Sequence, residues 1–154
     1  MSEPEISSVI QSTTLTWSGT PQSAELAIDG DMETASHTNC AWNTDIWYKM
    51  RFDDVQCFDE VEFVNSYLNY NAFRMQDLGV YVKNSDDGEE NLCEVVRIRE
   101  DETVEGQTYM VSCDGKCGDS IVLRVRHDRG KYSYMACIHL DEIKVHYAGD
   151  SEHC

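Results

Sequence analysis

The chain has none of the short signatures that mark the common catalytic sites. It contains no G-x-S-x-G nucleophile turn, no H-E-x-x-H zinc helix, no Walker phosphate loop and no G-x-G-x-x-G dinucleotide loop. The enzyme classes built on those motifs are thereby set aside. Function is argued from sites, and no catalytic site is visible, so the sequence reads as a binding protein and not an enzyme. Basic residues are also scarce: 12 Lys and Arg stand against 29 Asp and Glu, for a net charge of -17. A field of that sign repels phosphate backbones and anionic lipid. It argues against nucleic acid as the main partner and makes a membrane surface an unfavourable one. It suits a cation or a neutral ligand such as a sugar, with most of the carboxylates lying on a solvated surface. No apolar run approaches the roughly 20 residues that cross a bilayer. There is no N-x-Ser/Thr acceptor, so glycosylation gives no support for secretion. The opening Met1-Ser2-Glu3-Pro4 carries no apolar signal segment. If the protein is secreted, this chain is expected to be a mature form with an added Met, or an excised domain.

What is present points to one stapled domain. A chain of 154 residues and 17.6 kDa, 41% hydrophobic along its whole length, is long enough to bury a core. The expected arrangement is a single domain over residues 1–154, with its core over about 7–147 and frayed ends at about 1–6 and 149–154. Seven cysteines are many for this length. Extracellular proteins use them as disulfide staples, and an odd count leaves one thiol over or pairs it between chains. About 105 pairings are open, so the cysteine positions by themselves fix none of them. The Cys113-x-x-x-Cys117 spacing is a weak zinc signal.

Strand signals are short and regular. Val61 to Val64, Leu78 to Val82, Ile121 to Arg126 and Ile143 to Tyr147 are rich in β-branched and aromatic residues. Turn chemistry separates them: Asp29-Gly30-Asp31, Asn84 to Gly88, Asp114-Gly115 and Arg129-Gly130. Glu100-Asp101-Glu102, with Glu105 close behind, reads as an exposed acidic loop. No amphipathic helix of three turns is visible. The expected fold is an all-β antiparallel sandwich or jelly roll.

Two stretches carry candidate chemistry. Residues 26–38 pack acidic oxygens around a glycine turn, and hard cations such as calcium take six to eight oxygens from carboxylates and carbonyls. An Asp-Gly turn alone is a weak signal, and the spacing is not that of an EF-hand. Residues 42–52 lead from Trp42 into a strand. Trp47 and Tyr48 are expected in the core or under a loop. Trp42 lies among polar residues and is the better candidate for an exposed contact.

Ala27-Ile28-Asp29-Gly30-Asp31, then Ser36-His37-Thr38, then Trp47-Tyr48-Lys49 resembles the pattern of the F-type (fucose-binding) lectins. There, Ala-Ile/Val-Asp-Gly-Asn precedes Cys-Ser/Thr-His-Ser/Thr and a Trp-Trp-Arg/Lys strand. Val61 to Asn65, Phe73-Arg74 and Leu140 to Val145 resemble later pieces in the same order. The likeness spans roughly residues 7–147, and the broader discoidin-like domains share the fold.

The resemblance implies a jelly-roll sandwich with a structural calcium site and a sugar pocket. Asp29 matches a calcium carboxylate, Asp31 a position that binds through its carbonyl, and Thr34 a serine ligand. Glu142 matches the carboxylate from the last strand, and Asp141 replaces a cysteine whose carbonyl binds the ion. Calcium there braces loops and does not touch sugar. In the pocket, His37 matches the family histidine and Arg74 its second arginine. Ser66 falls at the first arginine, where the family Arg-Gly-Asp becomes Ser66-Tyr67-Leu68. Asn69-Tyr70 replaces the vicinal cysteines that pack the sugar. Losing one charged donor of three is expected to cost roughly 1.5–3 kcal/mol. Tyr67, Tyr70 and Phe73 are candidates for an aromatic platform in compensation.

The resemblance also orders the cysteines. Cys93–Cys113 matches a family bridge, closing about twenty residues and stabilising by roughly 3 kcal/mol. The family bridge from the loop before His37 to the last strand would need cysteines at Ala35 and Asp141. Cys40 and Cys137 lie on the same two segments and are expected to form a relocated bridge. Cys57–Cys117 is the remaining expected pair, with Cys154 left over.

Two functions follow. One is a secreted, extracellular lectin domain for terminal fucose or a related sugar, with glycans as partners. The other is a discoidin-like adhesion module that has lost sugar binding and holds a cell-surface or extracellular protein through Trp42, Tyr67 and Tyr70. Clustering of weak monovalent sites makes an oligomer compatible with the first, although no residue argues for one.

Overall fold

The computed structural model describes residues 5–41, 45–65, 77–97, 107–126 and 136–150, together with Glu152 and Cys154. Strands dominate: β1 (Ile6–Gln11), β2 (Thr16–Trp17), β3 (Thr20–Pro21), β4 (Ser36–His37), β5 (Trp47–Asn65), β6 (Asp77–Lys83), β7 (Glu90–Arg97), β8 (Thr108–Val125) and β9 (His139–Asp150). One 3-10 turn, Ala24–Ala27, lies between β3 and β4. Among the described residues no helix is long and apolar enough to cross a membrane.

The main sheet runs β4-β9-β5-β8-β6-β7, with β1 added beside β5, and every pairing is antiparallel. The two long strands make a sandwich from one hydrogen-bonded sheet. The first part of β5 pairs β1 through Tyr48–Phe52, and its second part pairs β9 through Gln56–Asn65. Between them the β5–β8 register shifts twice, at Arg51/Gln56 and at Phe58/Glu60. Such shifts bend a strand and raise its twist, which lets the two ends of β5 enter different layers. The expected all-β jelly-roll sandwich is the fold observed.

Alternation fills the interior. Tyr48, Met50 and Phe52 point inward at period two from the first part of β5, followed by Phe58, Val61 and Phe63 from the second. They meet Leu78, Val80 and Val82 of β6, Val111, Ile121, Leu123 and Val125 of β8, and Leu140 and Ile143 of β9. The four expected strand segments all lie in these elements; only Arg126 falls just outside β8. Tyr48 is fully buried, and its hydroxyl donates to the Ala24 carbonyl at 2.8 Å, so the polar atom is satisfied. Trp47 is half-buried.

Three sequence expectations need correction. Asp114-Gly115 does not end a strand. It is a bulge inside β8, with φ of 51° and 72°. Opposite it, two steps on β5 from Phe58 to Glu60 match four on β8 from Lys116 to Ser112. The end of the chain is not frayed from residue 149, because Gly149 and Asp150 pair with Cys57 and Gln56. The cysteines are the third case. Cys40–Cys137 and Cys93–Cys113 are bridged as expected, but Cys117 is bridged to Cys154 and not to Cys57. The extension of β9 along β5 carries Cys154 back to the β5–β8 pair, where it competes for Cys117. Arg129-Gly130 and the acidic stretch at 100–105 lie outside the described residues.

Candidate functional site

His37 sits in the short edge strand β4, and its place is set by backbone bonds. Its N–H donates to the Gln22 carbonyl at 3.0 Å, and its carbonyl accepts from Leu15 N–H at 2.9 Å. Gln11 Nε2 reaches the Gln22 carbonyl at 3.0 Å and so ties β1 to the same knot. On the other side, Ser36 and His37 pair with Leu140 and His139 of β9. The contact continues past the strands: Thr38 N–H donates to Ile138 O at 3.0 Å, and Ile138 N–H donates to Thr38 Oγ1 at 2.9 Å. The Cys40–Cys137 bridge and an Ala41–Ala136 pairing close this zipper.

His37 is 7% exposed. Its Nδ1 lies 2.6 Å from the Thr38 carbonyl. A carbonyl only accepts, so Nδ1 carries the proton, and in the neutral ring Nε2 is the acceptor. The ring stands edge-on to that of His139, with centroids 4.8 Å apart. Burial, reinforced by the charge His37 can carry, holds the His139 imidazole down to about 4. It is therefore neutral at physiological pH. Asp141 Oδ1 is 3.8 Å from His139 Nδ1, beyond hydrogen-bond range. Burial pushes the Asp141 carboxyl up to about 6.

The second cluster lies in the loop before β4. Asp29 Oδ1 accepts from Asp31 N–H at 2.9 Å, and Asp29 Oδ2 accepts from the Thr34 hydroxyl. The Asp31 carbonyl accepts from Thr34 Oγ1 at 3.0 Å, and Asp31 Oδ1 from Glu33 N–H at 2.9 Å. The Thr34 hydroxyl and the Asp31 amide hold the Asp29 carboxyl below its usual range. Glu142 of β9 faces the same loop. Its carboxyl is pushed up, first by burial and then by the Asp29 charge, against a bond from the Gly30 amide. Glu142 is 8% exposed, and its Oε2 is buried with no hydrogen-bond partner among the described residues. A buried Glu142 carboxyl pushed up beside the Asp29 charge, with one oxygen lacking a partner among the described residues, fits a hard cation. Asp29 and Glu142 could supply charge to such an ion, and the Asp31 carbonyl and Thr34 hydroxyl neutral oxygens.

The structure thus brings Asp29, Asp31 and Thr34 together in one loop that Glu142 of β9 faces, and sets His37 beside His139, whose ring lies 3.8 Å from Asp141. Ser66, Tyr67, Tyr70, Phe73, Arg74 and Trp42 lie outside the described residues. Two residues near His37 were not singled out by sequence. His139 becomes visible only through the β4–β9 register. Trp17 is 70% exposed on the β2–β3 hairpin, whose flanking residues Leu15 and Gln22 are the two that grip the His37 backbone. Like Trp42 it is a tryptophan among polar neighbours, so the same criterion would have found it.

No protein-family model matches the sequence, and no curated protein matches it. Solved structures do match. An F-lectin (fucolectin) from striped bass (Morone saxatilis) serum superposes with a TM-score of 0.70 at 18% identity, over 93% of this chain and 46% of that one. The chain has the fold of the F-type lectins. It spans about half the length of the bass lectin. The lectin domain of lectinolysin, complexed with Lewis b antigen, gives a TM-score of 0.70 at 15% identity, covering 92% of this chain and 93% of that one. A Streptococcus pneumoniae fucose binding module gives 0.68 at 16%, covering 91% and 90%. The F-type lectin fold thus extends over both clusters built above, the acidic loop and the His37 edge.

Proposed function

We propose that this chain is a secreted carbohydrate-binding domain for terminal fucose or a related sugar, braced by a structural calcium ion. One observation carries the reading: His37, the position that matches the family's pocket histidine, is locked at the sheet edge in a fold shared with glycan-binding modules. A fixed imidazole gives a hydroxyl a directional partner, and orientation is what few polar groups in a pocket supply. The exposed Trp17 ring offers the flat apolar face on which sugar C–H groups pack. Arg74 is the second polar group, and Tyr67, Tyr70 and Phe73 are the loop aromatics that would replace the family's cysteine platform and the donor absent at Ser66.

Calcium would take Asp29 and Glu142 through carboxylates, Asp31 and Asp141 through carbonyls, and Thr34 through its hydroxyl. The ion supplies positive charge that joins the loop before β4 to β9. Three disulfides among seven cysteines support an oxidising, extracellular setting. Titration of L-fucose into the calcium-loaded protein tests the reading. Saturable binding that His37→Ala removes supports it. No binding to a folded, calcium-loaded sample contradicts it.

A further inference from the structure

Register decides which side chains cover the outer face of the layer formed by β1, the first part of β5, the second part of β8, β6 and β7. Tyr48, Met50, Ile121, Leu123, Val80 and Val82 point into the core, so their chain neighbours point out. One outward row runs across the strands through Ile10, Lys49, Val122, Tyr81 and Leu92. The next runs through Arg51, Ser120, Lys83 and Glu90. We propose that this face is a ligand site, separate from His37, for a short saccharide carrying one sulfate ester, with the sulfate held among Lys49, Arg51 and Lys83 and the sugar ring packed on the row of Val122 and Tyr81.

The acids on this face already have partners. Arg124 holds Asp45 at 2.6 Å and Glu90 at 3.2 Å. Asp119 Oδ1 accepts from the Ser85 N–H at 3.1 Å, the Ser85 hydroxyl at 2.9 Å and the Ser120 hydroxyl at 3.1 Å. Among the described residues Lys49, Arg51 and Lys83 make no ion pair. Lys49 and Arg51 lie two residues apart on β5, and Lys83 stands across Ser120 from Arg51. Their Cα atoms therefore form a triangle with sides of roughly 7–12 Å, which long side chains can close on one anion. Burial, then the charges of Lys83 and Arg51, hold the Lys49 ammonium below its usual range, against the pull of Asp119 and Glu90. An anion among the three cations relieves that repulsion. A sulfate ester has three terminal oxygens, one for each cation, whereas a carboxylate has two.

The neighbouring row supplies the apolar floor. Val122 is 2% exposed yet stands outside the core cluster, so it is covered from the outer side. Tyr81 folds back along β6, and its ring atoms lie 2.7–3.0 Å from where a Cβ on Gly79 would be. The missing Cβ lets the ring settle onto the sheet beside Val122, where sugar C–H groups can pack against it. Ile10 and Leu92 border this floor, 49% and 39% exposed. Net charge selects the size of the ligand. With -17 on the chain, a long polyanion or an acidic protein laid over the whole face is repelled. Screening confines that field to about 8 Å at physiological ionic strength, so a short saccharide with one sulfate meets the local cations. None of these residues belongs to the His37 edge or the acidic loop, and the site stands or falls independently of fucose and calcium.

The test is calorimetric titration of the full chain with lactose carrying a single sulfate, beside plain lactose and inorganic sulfate. The expected result is saturable binding of the sulfated sugar, far tighter than either control and undisturbed by excess L-fucose. The double variant Arg51→Gln, Lys83→Gln should weaken it by roughly tenfold or more. No binding, equal binding of plain lactose or of inorganic sulfate, displacement by fucose, or full affinity in the double variant overturns the proposal. A hexaglutamate peptide that binds as tightly also overturns it, and would make the face a docking surface for acidic protein. Should the double variant fail to fold, the wild-type chain still decides: its affinity for the sulfated sugar must fall as sodium chloride is added, and an affinity indifferent to salt contradicts the site.

Discussion

His37 is held by its neighbours' main chains, so the consequences of removing its side chain can be separated. The ring donates a hydrogen bond to the Thr38 carbonyl, while the Gln22 and Leu15 bonds belong to the backbone and survive substitution. His37→Ala should therefore lower stability by about 1–3 kcal/mol, from the lost bond and the lost packing of a buried ring against His139, and abolish sugar binding. Thermal melts and a fucose titration on the same sample check both halves. A collapse of the fold would make His37 structural instead. Trp17 gives the complementary case. With its side chain mostly in solvent, Trp17→Ala should leave the melting temperature within error and weaken sugar binding severalfold. Unchanged affinity would remove the ring from the site. At this scale the sequence was informative where contacts are local, as with the grouping of Asp29, Asp31 and Thr34 in one loop. It was silent where a residue acquires meaning from its partner, as His139 does across the strand.

Among the elements, the acidic loop and β9 depend on each other. The Asp29 charge disfavours ionisation of Glu142, and that repulsion is a cost which a bound cation would reverse. Chelation should lower the melting temperature of the wild-type chain. Glu142→Gln should raise the melting temperature of the calcium-free form and erase the response to calcium. A wild-type melt indifferent to calcium would refute the site. The β6–β8 contact is tight in another way. A Cβ on Gly118 would lie 2.5 Å from the Lys83 carbonyl oxygen and 2.7 Å from Val82 Cγ1. Gly118→Ala should destabilise by about 1–3 kcal/mol, read from denaturant melts. The strands were legible because period-two burial writes itself into residue choice. The bulge at Asp114-Gly115 was not, since a left-handed pair looks the same in a turn and in a bent strand.

For the whole molecule, the long-range bridges matter most. Cys40–Cys137 spans 97 residues, and in the chain-entropy account a loop of about that length is worth roughly 4–5 kcal/mol. Replacing both cysteines by serine should cost about that much in chemical denaturation, and should loosen the segment after His37 first. The family likeness predicted this bridge because the two segments meet in the fold. The Cys57 pairing failed because nothing local reveals that β9 runs on to Asp150 and brings Cys154 alongside. Residues 66–74, the stretch that resembles the sugar loop of the F-type lectins, depart from that pattern at Ser66 and at Asn69-Tyr70, so any change of specificity belongs there. A glycan array carrying fucosylated, Lewis b and galactose-terminated probes, run with calcium and again with a chelator, therefore tests the central claim most directly. Binding to fucosylated glycans that weakens on chelation is the predicted result; a blank array from a folded, calcium-loaded sample would contradict it and leave a protein partner as the remaining ligand class.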